Sequence, residues 1–449
     1  MNDVLPKLNP DQERAVDAVA AFVVGPEKEF FLTGGPGVGK TFTTRELAKV
    51  LPEVLKAYNV SMGKNAAHMQ LFLTSTTNKA AAVLGEQTGM QAVTIHSFLG
   101  VVPHTDYSTG KTNLKRNNRY KVHSNSMIFI DEASMIDREL YQILMEATDD
   151  TCKIIYIGDK NQLPPVMEKI SPAVILAQEP TRHYEITTPV RNAGSPALQE
   201  LCDNLREDIL LERTKDSLSK WKNVSGSIEY INGNQLEVLI ESLYGPHGKI
   251  KATDTTLACR ILCYTNDAVI GYNDHIRQLR GMPSNPVAGE ILVCNTHFEL
   301  SRSESFNVEE EVIIHGSYGP ESIQIDDYNS LDAYMLEVSS IFTGRHLVKC
   351  PADREAWKRL RSHYKKHKDW TKFYKLQEEW IDLRNREAAT VYKAQGSTYD
   401  EVILIMNDLF TSRDINQLRR MLYVGASRAR HKVYVYDRGI HENERGLYQ

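Results

Sequence analysis

Short apolar runs recur along the chain, and most of them end in a small, hydroxyl-bearing or acidic residue. The runs are EFFLTG at 29–34, LFLTST at 71–76, SMIFIDE at 126–132, KIIYIGD at 153–159, RILCYT at 260–265, EVILIM at 401–406 and KVYVYD at 432–437. Runs of this length and composition are typical of buried strands. Helix-like segments, such as 41–51 and 77–87, lie between several of them. The pattern predicts an α/β fold with parallel sheets, crossover helices and its chemistry at the carboxyl ends of the strands.

The composition predicts a soluble protein of several domains. At roughly 100–200 residues per domain, the 449 residues predict two to four domains. Hydrophobic residues make up 41% and charged residues 25%, and no apolar run approaches the ~20 residues of a membrane span. The N-terminus, MNDVLPKLNPDQ, lacks the pattern of a signal peptide. We expect a cytoplasmic protein with no membrane partner.

The six cysteines follow no metal-binding pattern. They lie at positions 152, 202, 259, 263, 294 and 350, without a CxxC pair. Cys259 and Cys263 fall in TLACRILCYT, which has the pattern of a buried strand. We therefore expect ordinary buried thiols and no zinc site.

The local distribution of charged residues says more about possible nucleic-acid binding than the net charge of the chain does. A formal net charge of −5 argues against a protein that coats nucleic acid by bulk attraction, but it is compatible with a local basic groove. Between Arg354 and Lys375, nine Lys and Arg residues face only Glu355 and Asp369. Aromatic residues are interleaved with these cations.

A glycine-rich segment follows the first apolar run. GGPGVGKT at 34–41 fits G-x-x-x-x-G-K-[ST], a loop whose backbone N–H groups cradle phosphates. This assigns phosphate contacts to Gly35, Gly37, Val38 and Gly39, the outer phosphates to Lys40, and Mg²⁺ to the hydroxyl of Thr41. The motif alone fits kinases, GTPases and motor ATPases alike.

Two adjacent acids distinguish among these classes. Asp131 ends an apolar strand and Glu132 follows it directly. Asp131 is placed to hold Mg²⁺, and Glu132 can accept a proton from an attacking water. Plain surface acids are the alternative. The pattern favours nucleotide hydrolysis over small-molecule phosphorylation.

The next apolar run ends in GDKNQLPPV at 158–166. Its Gln162 lies on a turn stiffened by two prolines, where an amide can bond the γ-phosphate or its water. From the residues alone, an ordinary proline-rich loop is an equal alternative.

Ten ordered segments carry a resemblance to a known family. They are LNPDQERAV, GGPGVGKT, TSTTNKAA, TIHSFL, IDEAS, GDKNQLPPV, VRN, YTNDAV, YKAQGST and YVGASRAR. In this order they resemble the superfamily-1 helicases, and more narrowly the RecD-like branch, from Gln12 to Arg430. The resemblance implies two RecA-like domains in tandem, with ATP between them and single-stranded DNA across their top.

The resemblance also implies roles for residues around the nucleotide. Gln12 matches the glutamine that reads adenine, Gln162 the γ-phosphate sensor, and Gly396 a position beside the nucleotide. Arg191 and Arg428 match two arginine fingers, whose forked charge neutralises a transferring phosphoryl group. For either arginine, a surface ion pair is the alternative.

Polar residues after the strands match the DNA contacts of the family. The residues are Thr76, Asn78, Lys79, Thr94 and His96 in the first domain, and Thr265, Asn266, Lys393 and Ser397 in the second. Helix capping is the alternative role for each of them. One position departs from the family, because Tyr392 stands where related helicases usually have histidine. Tyrosine cannot carry the charge of an imidazole, so any role of that histidine is in doubt here.

Two insertions interrupt the predicted sheets. Residues 101–121 read as a β-hairpin, and by position they match a pin that splits duplex DNA, with Tyr107 and Leu114 as wedge candidates; a surface loop is the alternative.

The second insertion, residues 296–387, reads as a small barrel, identified by the resemblance as SH3-like, followed by a helical tower. Its stripe of Trp370, Phe373, Leu376, Trp380 and Leu383 has helical spacing and predicts a packed face.

These expectations combine into one domain plan. Residues 1–195 form the first RecA-like domain with the hairpin, 196–295 and 388–449 the second, and 296–387 the inserted barrel and tower.

The resemblance implies an ATP- and Mg²⁺-dependent DNA helicase that moves 5′ to 3′ on single-stranded DNA and acts at junctions with duplex. A translocase that displaces proteins without efficient unwinding, or a nucleotide-gated DNA loader, is the alternative. We expect a monomer in the cytoplasm, or in the host cytoplasm if phage-encoded, with single-strand-binding or replication proteins as candidate partners.

Overall fold

The structure is a computed structural model that describes residues 7–63, 69–106, 111–165, 168–189, 195–212, 227–301 and 304–437. Side chains are described throughout these ranges except at 103–106 and 111–112. The chain divides into two compact units. The first comprises Met1–His104, Asn113–Lys222 and Arg419–Ser427, and the second comprises Thr105–Thr112, Asn223–Leu418 and Arg428–Gln449.

A parallel sheet organises the first unit. Its half of the chain contains β1 (Glu29–Gly34), β2 (Gln70–Ser75), β3 (Ala92–Thr94), β4 (Val101–Asp106), β5 (Lys111–Arg116), β6 (Ser126–Asp131), β7 (Lys153–Gly158) and β8 (His183–Ile186). All but β4 and β5 form one sheet in the order β3-β2-β6-β7-β1-β8, and every neighbouring pair is parallel. The carboxyl ends of these strands therefore share one edge.

Helices cover both faces of this sheet. They span Pro10–Val24, Lys40–Ser61, Asn78–Thr88, Ile95–Leu99, Arg138–Glu146, Pro172–Ile175 and Pro196–Leu210, with 3₁₀ turns at Ala133–Met135 and Leu176–Gln178. Because both faces are covered, the strands are continuously apolar: Phe31 and Ile128 point into one core and Leu32 and Phe129 into the other.

The second unit contains its own parallel sheet and an antiparallel one. The strands are β9 (Ile228–Ile231), β10 (Cys259–Cys263), β11 (Ile291–Cys294), β12 (Phe298–Glu299), β13 (Ser305–Phe306), β14 (Glu311–Gln324), β15 (Ser330–Ser339), β16 (His346–Pro351), β17 (Leu383–Arg384), β18 (Ala388–Thr390), β19 (Tyr399–Ile405) and β20 (Ala429–Tyr436). The parallel sheet has the order β18-β10-β19-β20-β9. Helices in this half of the chain span Gly233–Tyr244, Asn266–Leu279, Met406–Leu409 and Ile415–Ala426, and the last of them belongs to the first unit from Arg419 onward.

The antiparallel sheet has the order β16-β15-β14-β11-β17, and β12 and β13 pair separately. Its core includes Phe306, Val312 and Leu336. Two helices, Arg354–Lys366 and Trp370–Glu378, follow β16. Trp357, Leu376 and Trp380 bury the helical pair against Leu331 of β15, so the two helices share a core with the sheet.

The strands β4 and β5 pair as a two-stranded sheet. At its base, the backbone N–H of Leu114 donates to Glu139 Oε1 at 2.7 Å, and the Leu114 side chain packs against the first unit's core. The guanidinium of Arg116 lies 4.2 Å from the centre of the Tyr120 ring and pairs with Glu146. Leu114 is therefore committed to packing in this structure, and Tyr107 lies outside the described residues.

The predicted fold class is confirmed, since two parallel α/β sheets follow one another along the chain as expected for tandem RecA-like domains. All six cysteines are buried. The SH3-like and tower descriptions and the domain plan stay predictions. Two elements differ from the predicted bounds: the helix Pro196–Leu210 falls in the first unit, where Arg206 bonds Glu185 at 2.6 Å, and β11 joins the antiparallel sheet although it precedes residue 296.

The predicted helical stripe is wrong as a single helix. The helix that carries Trp370, Phe373 and Leu376 ends at Glu378. Trp380 follows it in a bridge to Lys349, and Leu383 lies in β17, paired with Cys294. Tertiary pairing with the antiparallel sheet overrides the helical spacing, although Leu376, Trp380 and Leu383 are buried as expected.

Within the described ranges, the structure contains no helix that is both long and apolar enough to cross a membrane.

We expect Trp357→Ala to destabilise the second unit by roughly 3–5 kcal/mol, because it empties a large buried site. Trp357 is 2% exposed, and its Nε1 donates to the Leu376 carbonyl at 3.1 Å. Urea unfolding followed by circular dichroism measures the loss. Trp370→Ala, at a partly exposed position of the same helical pair, is the control; equal losses in the two variants would show that Trp357 does not anchor the helices.

Candidate active site

The phosphate loop connects β1 to the helix Lys40–Ser61. Gly37 and Gly39 have φ values of 76° and 78°, in the left-handed region that favours glycine. Gly39 is the N-cap residue of the helix, so the backbone N–H groups of the first helical turn face the loop. Lys40 Nζ donates to the carbonyls of Gly34 at 2.8 Å and Gly35 at 3.0 Å. The loop thus has the geometry of an anion cradle with a lysine at its mouth.

The acidic pair lies at the carboxyl end of β6. The backbone N–H of Glu132 donates to Asp131 Oδ1 at 2.9 Å, and Glu132 has a φ of 53°, which is uncommon for a non-glycine residue. Burial and, next, the Glu132 carboxylate raise the pKa of Asp131 to about 7, while the charge of Lys40 opposes this rise. A divalent cation would favour the ionised form of Asp131, so the residues present fit a magnesium ion held by Asp131 and Thr41.

The loop after β7 carries Gln162. Its amide Oε1 is buried and has no hydrogen-bond partner among the described residues, and rotation of the amide can present an N–H at the same place. Arg420 Nη1 donates to the carbonyls of Lys160 at 2.9 Å and Gln162 at 2.7 Å, and the Tyr423 hydroxyl donates to Asp159. Gln162 is therefore held by its backbone while its amide is available to a ligand.

The helix Pro10–Val24 begins beside the loop. Gln12 Nε2 donates to the carbonyl of Val38 at 3.0 Å, and its Oε1 accepts from the backbone N–H of Asn9 at 3.0 Å, closing a capping box. In this structure Gln12 ties the phosphate loop to the start of the helix, and its contact with adenine stays a prediction.

Asp11 was not identified from the sequence, because its partners lie 173 to 177 residues away. Its Oδ2 accepts from the backbone N–H groups of Thr187 and Thr188 at 2.8 Å each, and its Oδ1 accepts from the Tyr184 hydroxyl at 2.8 Å. Burial favours the neutral acid, but these bonds outweigh burial and hold the pKa of Asp11 well below its usual range. Asp11 thereby fixes the segment that follows β8. That segment leads toward Arg191, which lies outside the described residues.

Arg206 is a second residue that the sequence did not identify. Its Nη2 donates to Glu185 Oε1 at 2.6 Å, and Lys160 Nζ donates to Glu185 Oε2 at 2.5 Å. A Cβ atom added at Gly35 would lie 2.8 Å from Arg206 Nη1. A larger residue at position 35 would therefore displace the flexible end of the Arg206 side chain.

The predicted DNA contacts of the first unit lie at neighbouring strand ends. Ser75 of β2 is in register with Thr94 of β3, so Thr76, which follows Ser75, is expected close to Thr94 at one edge. Thr94 Oγ1 accepts from the backbone N–H of Ser97 at 3.1 Å, which confirms a capping role. His96 follows in the same short helix. Asn78 and Lys79 begin the next helix, whose N-cap is Thr77.

In the second unit, Thr265 and Asn266 follow β10. Thr265 Oγ1 accepts from the backbone N–H of Ala268 at 3.2 Å and donates to Asp408 Oδ1 at 2.6 Å, and its own backbone N–H donates to Asp408 Oδ2 at 2.9 Å. Both donors of Thr265 are therefore used by Asp408. Asn266 is exposed, and its contact with DNA stays a prediction.

The segment after β18 contains the other predicted contacts of the second unit. Lys393 Nζ donates to Asn295 Oδ1 at 2.6 Å and lies 3.5 Å from Glu309 Oε1. Burial lowers the pKa of Lys393, and Glu309 opposes this shift. Gly396 has a φ of 72°. The carbonyl of Ser397 accepts from Arg428 Nη1 at 3.1 Å, and Arg428 is buried.

Tyr392, at the atypical position, belongs to a polar network. Its hydroxyl accepts from Gln417 Nε2 at 2.8 Å. Gln417 Oε1 accepts in turn from the Ser412 hydroxyl at 2.7 Å and the Tyr264 hydroxyl at 3.4 Å. Tyr392 thus connects the segment of Lys393 and Ser397 to that of Thr265 through one glutamine.

Two family models match the chain. A model described as AAA domain matches residues 12–168, which contain the phosphate loop, the acidic pair and Gln162. A model described as UvrD-like helicase C-terminal domain matches residues 387–436, which contain Lys393, Ser397 and Arg428.

Several relatives and solved structures are similar to the chain. The ATP-dependent DNA helicase dda of Enterobacteria phage T4 is 22% identical over 460 residues, which cover 95% of this chain and 98% of that protein. The ATP-dependent RecD2 DNA helicase of Deinococcus radiodurans is 31% identical over 194 residues, 43% of this chain and 23% of that protein. The crystal structure of Pif1 helicase from Candida albicans covers 99% of this chain and 98% of its own, with 16% identity and a TM-score of 0.48.

The fold, the phosphate loop with its acidic pair and the matches to two family models support an ATP-driven DNA helicase that is similar to the superfamily-1 enzymes. The relatives of the chain include RecD proteins, as the order of its motifs predicts.

We expect Glu132→Gln to lower ATP turnover by about 10²–10⁴-fold, because the amide keeps the shape of the carboxylate but cannot accept a proton. Binding of ATP should persist. Steady-state hydrolysis and binding of a fluorescent ATP analogue measure the two effects. Glu86→Gln, at an exposed position of the same unit, is the control. Turnover within threefold of the unmodified protein would remove Glu132 from the reaction.

We expect Tyr392→Phe to raise the single-stranded DNA concentration that half-saturates ATP hydrolysis by about 3–10-fold, since a lost hydrogen bond of about 1 kcal/mol loosens the segment of Lys393 and Ser397. Tyr328→Phe, in which an exposed phenol loses its hydroxyl, controls for the chemical change. An unchanged half-saturation point for Tyr392→Phe would restrict this network to a role in stability.

Proposed function

We propose that the protein is an ATP-dependent helicase that moves 5′ to 3′ along single-stranded DNA and unwinds duplex. One observation carries the proposal: the phosphate loop, the acidic pair and the first unit's candidate DNA contacts all follow strands that end at the same edge of one sheet. The residues for hydrolysis and those for DNA binding therefore lie on one sheet, so that a movement at one set can alter the other.

The first unit supplies all of the proposed groups for hydrolysis except Arg428, which lies in the second unit. Lys40 and the loop N–H groups bind the phosphates, Glu132 accepts the proton of the attacking water, and Gln162 contacts the γ-phosphate or that water. Thr41 and Asp131 would hold magnesium, which neutralises charge on the phosphate oxygens when bound. Arg191 and Arg428 are proposed as arginine fingers, each bringing a permanent charge to the transferring phosphoryl group.

The DNA contacts divide between the units. Thr76, Asn78, Lys79, Thr94 and His96 form the first proposed contact set, and Thr265, Asn266, Lys393 and Ser397 form the second. Both sets offer hydrogen bonds and charge to a backbone, a chemistry that recognises DNA without reading its sequence. If the two sets bind DNA tightly in alternation during the hydrolysis cycle, ATP hydrolysis is coupled to movement in steps along one strand.

We infer the remaining features from the family. Polarity of 5′ to 3′, action as a monomer, a place in the cytoplasm or host cytoplasm, and association with single-strand-binding or replication proteins are expectations from the RecD-like branch. The hairpin of β4 and β5 is the proposed pin. The alternatives, a protein-displacing translocase and a nucleotide-gated loader, differ in measurable activities.

The proposal is tested by ATP hydrolysis with and without single-stranded DNA, and by unwinding of duplexes with a 5′ or a 3′ tail. We expect DNA to stimulate hydrolysis and only the 5′-tailed duplex to be unwound. Stimulation without unwinding would favour the translocase, and absence of stimulation would favour the loader. Unwinding from the 3′ tail alone would reverse the proposed polarity.

We expect replacement of Tyr107–Gly110 by Asn-Gly, a two-residue hairpin turn, to abolish unwinding of the 5′-tailed duplex. The rate of ATP hydrolysis stimulated by single-stranded DNA should stay within about threefold of that of the unmodified protein, because a threefold change corresponds to less than about 1 kcal/mol in the activation barrier. This change spares Leu114 and Arg116, which hold the hairpin to the core. Tyr107→Ala tests the wedge side chain alone. Full unwinding by the shortened hairpin would require strand separation to occur elsewhere.

A further inference from the structure

Most basic residues of the two helices Arg354–Lys366 and Trp370–Glu378, and of the turn between them, fall into two groups; Lys375, which is exposed in the second helix, belongs to neither. In the first group the cations are neutralised or packed. Lys358 pairs with Glu355 at 2.8 Å, Arg359 with Asp353 at 3.9 Å, and Lys372 with Asp369 at 3.1 Å. The guanidinium of Arg361 lies 4.4 Å from the centre of the Trp357 ring.

The second group lies at the turn between the helices. Lys365, Lys366 and Lys368 are exposed, and no carboxylate among the described residues lies within ion-pair distance of them. His363 and His367 are exposed beside them, with ring centres 4.3 Å apart. We call residues 363–368 the basic turn. It contains no acid, in a chain whose formal net charge is −5.

The backbone of the basic turn is fixed. The N–H of Asp369 donates to the Tyr364 carbonyl at 2.9 Å, and the N–H of Lys368 donates to the Lys365 carbonyl at 3.2 Å. These two bonds form the Schellman motif that ends many helices. The Tyr364 side chain anchors the turn, because its hydroxyl donates to Asp326 Oδ2 at 2.5 Å. The cations are therefore presented on a rigid support.

Lys368 occupies a position that usually holds glycine. Its φ is 56°, and the left-handed conformation that ends a Schellman motif is unfavourable for a residue with a Cβ atom. Favourable interaction with the helix dipole accounts for Lys365 and Lys366, which lie in the last helical turn. It does not account for Lys368, which lies beyond that turn at the cost of backbone strain. A charged residue held in this conformation is a starting point for a functional hypothesis.

We propose that the basic turn binds the phosphate backbone of DNA through Lys365, Lys366 and Lys368. The site takes phosphates without base specificity, since ammonium groups act as point charges. The proposal rests on the proposed function only for the identity of the polymer. It adds a contact surface separate from the strand-end residues assigned above.

The test compares two triple variants with the same change in net charge. Lys365→Gln, Lys366→Gln and Lys368→Gln together remove the exposed cations, and Lys358→Gln, Arg359→Gln and Lys372→Gln together remove the paired ones. Equilibrium binding to a blunt duplex and to a single-stranded oligonucleotide is measured against salt, without nucleotide. Each lysine that contacts a phosphate adds about 0.9 to the log–log slope for duplex and about 0.7 for a single strand.

We expect the first variant to lower the slope by roughly 2–3 with duplex, or by about 2 with a single strand, and the paired variant to lower it by less than one. A change with duplex alone identifies duplex phosphates as the ligand, a change with the single strand alone identifies the single strand, and a change with both shows that the basic turn binds the phosphates of either. Slopes that match the unmodified protein with both DNAs would overturn the proposal. If DNA does not stimulate ATP hydrolysis by the unmodified protein, the proposed function is refuted, while the salt slopes of DNA binding still test the basic turn.

Lys368→Gly separates binding from folding. Because glycine adopts the left-handed conformation freely, the melting temperature should stay the same or rise while the slope falls by about 0.7–0.9. An unchanged slope would exclude Lys368 from the contact.

Discussion

The parallel alignment of β1, β7 and β6 is the constraint on which the site depends. Thr33 of β1 is in register with Gly158 of β7, and Ile130 of β6 with Tyr156 of β7, so the three chain segments leave the sheet at one level. A slip of one residue would turn the apolar side chains of a strand toward the wrong face. Since both faces are buried, such a slip is costly, and the positions of Lys40, Glu132 and Gln162 follow from the packing of the sheet.

Polar bonds then restrict the loops at this edge. Gln12 holds the phosphate loop from the first helix, Asp11 holds the segment after β8, and Glu185 connects Arg206 to Lys160. Each bond joins residues of different elements, and several involve buried charges that are strongly held once paired. These bonds reduce the freedom of the loops that handle phosphate, which lowers the cost of ordering them at binding.

The sequence predicted the strands, the phosphate loop and the acidic pair because these features are local. An apolar run followed by Asp131 and Glu132, or glycines before Lys40, is visible in a short window. Arg206 and Gln417 were missed because their partners lie 21 and 25 residues away, and the Asp408 partner of Thr265 lies 143 residues away; no local pattern marks such pairs. The stripe around Trp380 was misread as one helix because spacing alone does not show where strand pairing begins. Arg191 and Tyr107 stay predictions.

The two capping threonines illustrate a thermodynamic difference between otherwise similar residues. The Thr265 hydroxyl donates a hydrogen bond to Asp408, whereas the Thr94 hydroxyl only accepts one from the backbone N–H of Ser97. Among the described residues, none accepts a hydrogen bond from the Thr94 hydroxyl. That cap bond limits rotation of the Thr94 side chain, so its rotational entropy is lost when the protein folds. A phosphate oxygen that accepts from Thr94 would therefore meet an oriented donor. An exposed lysine, in contrast, loses its rotamer freedom only at binding.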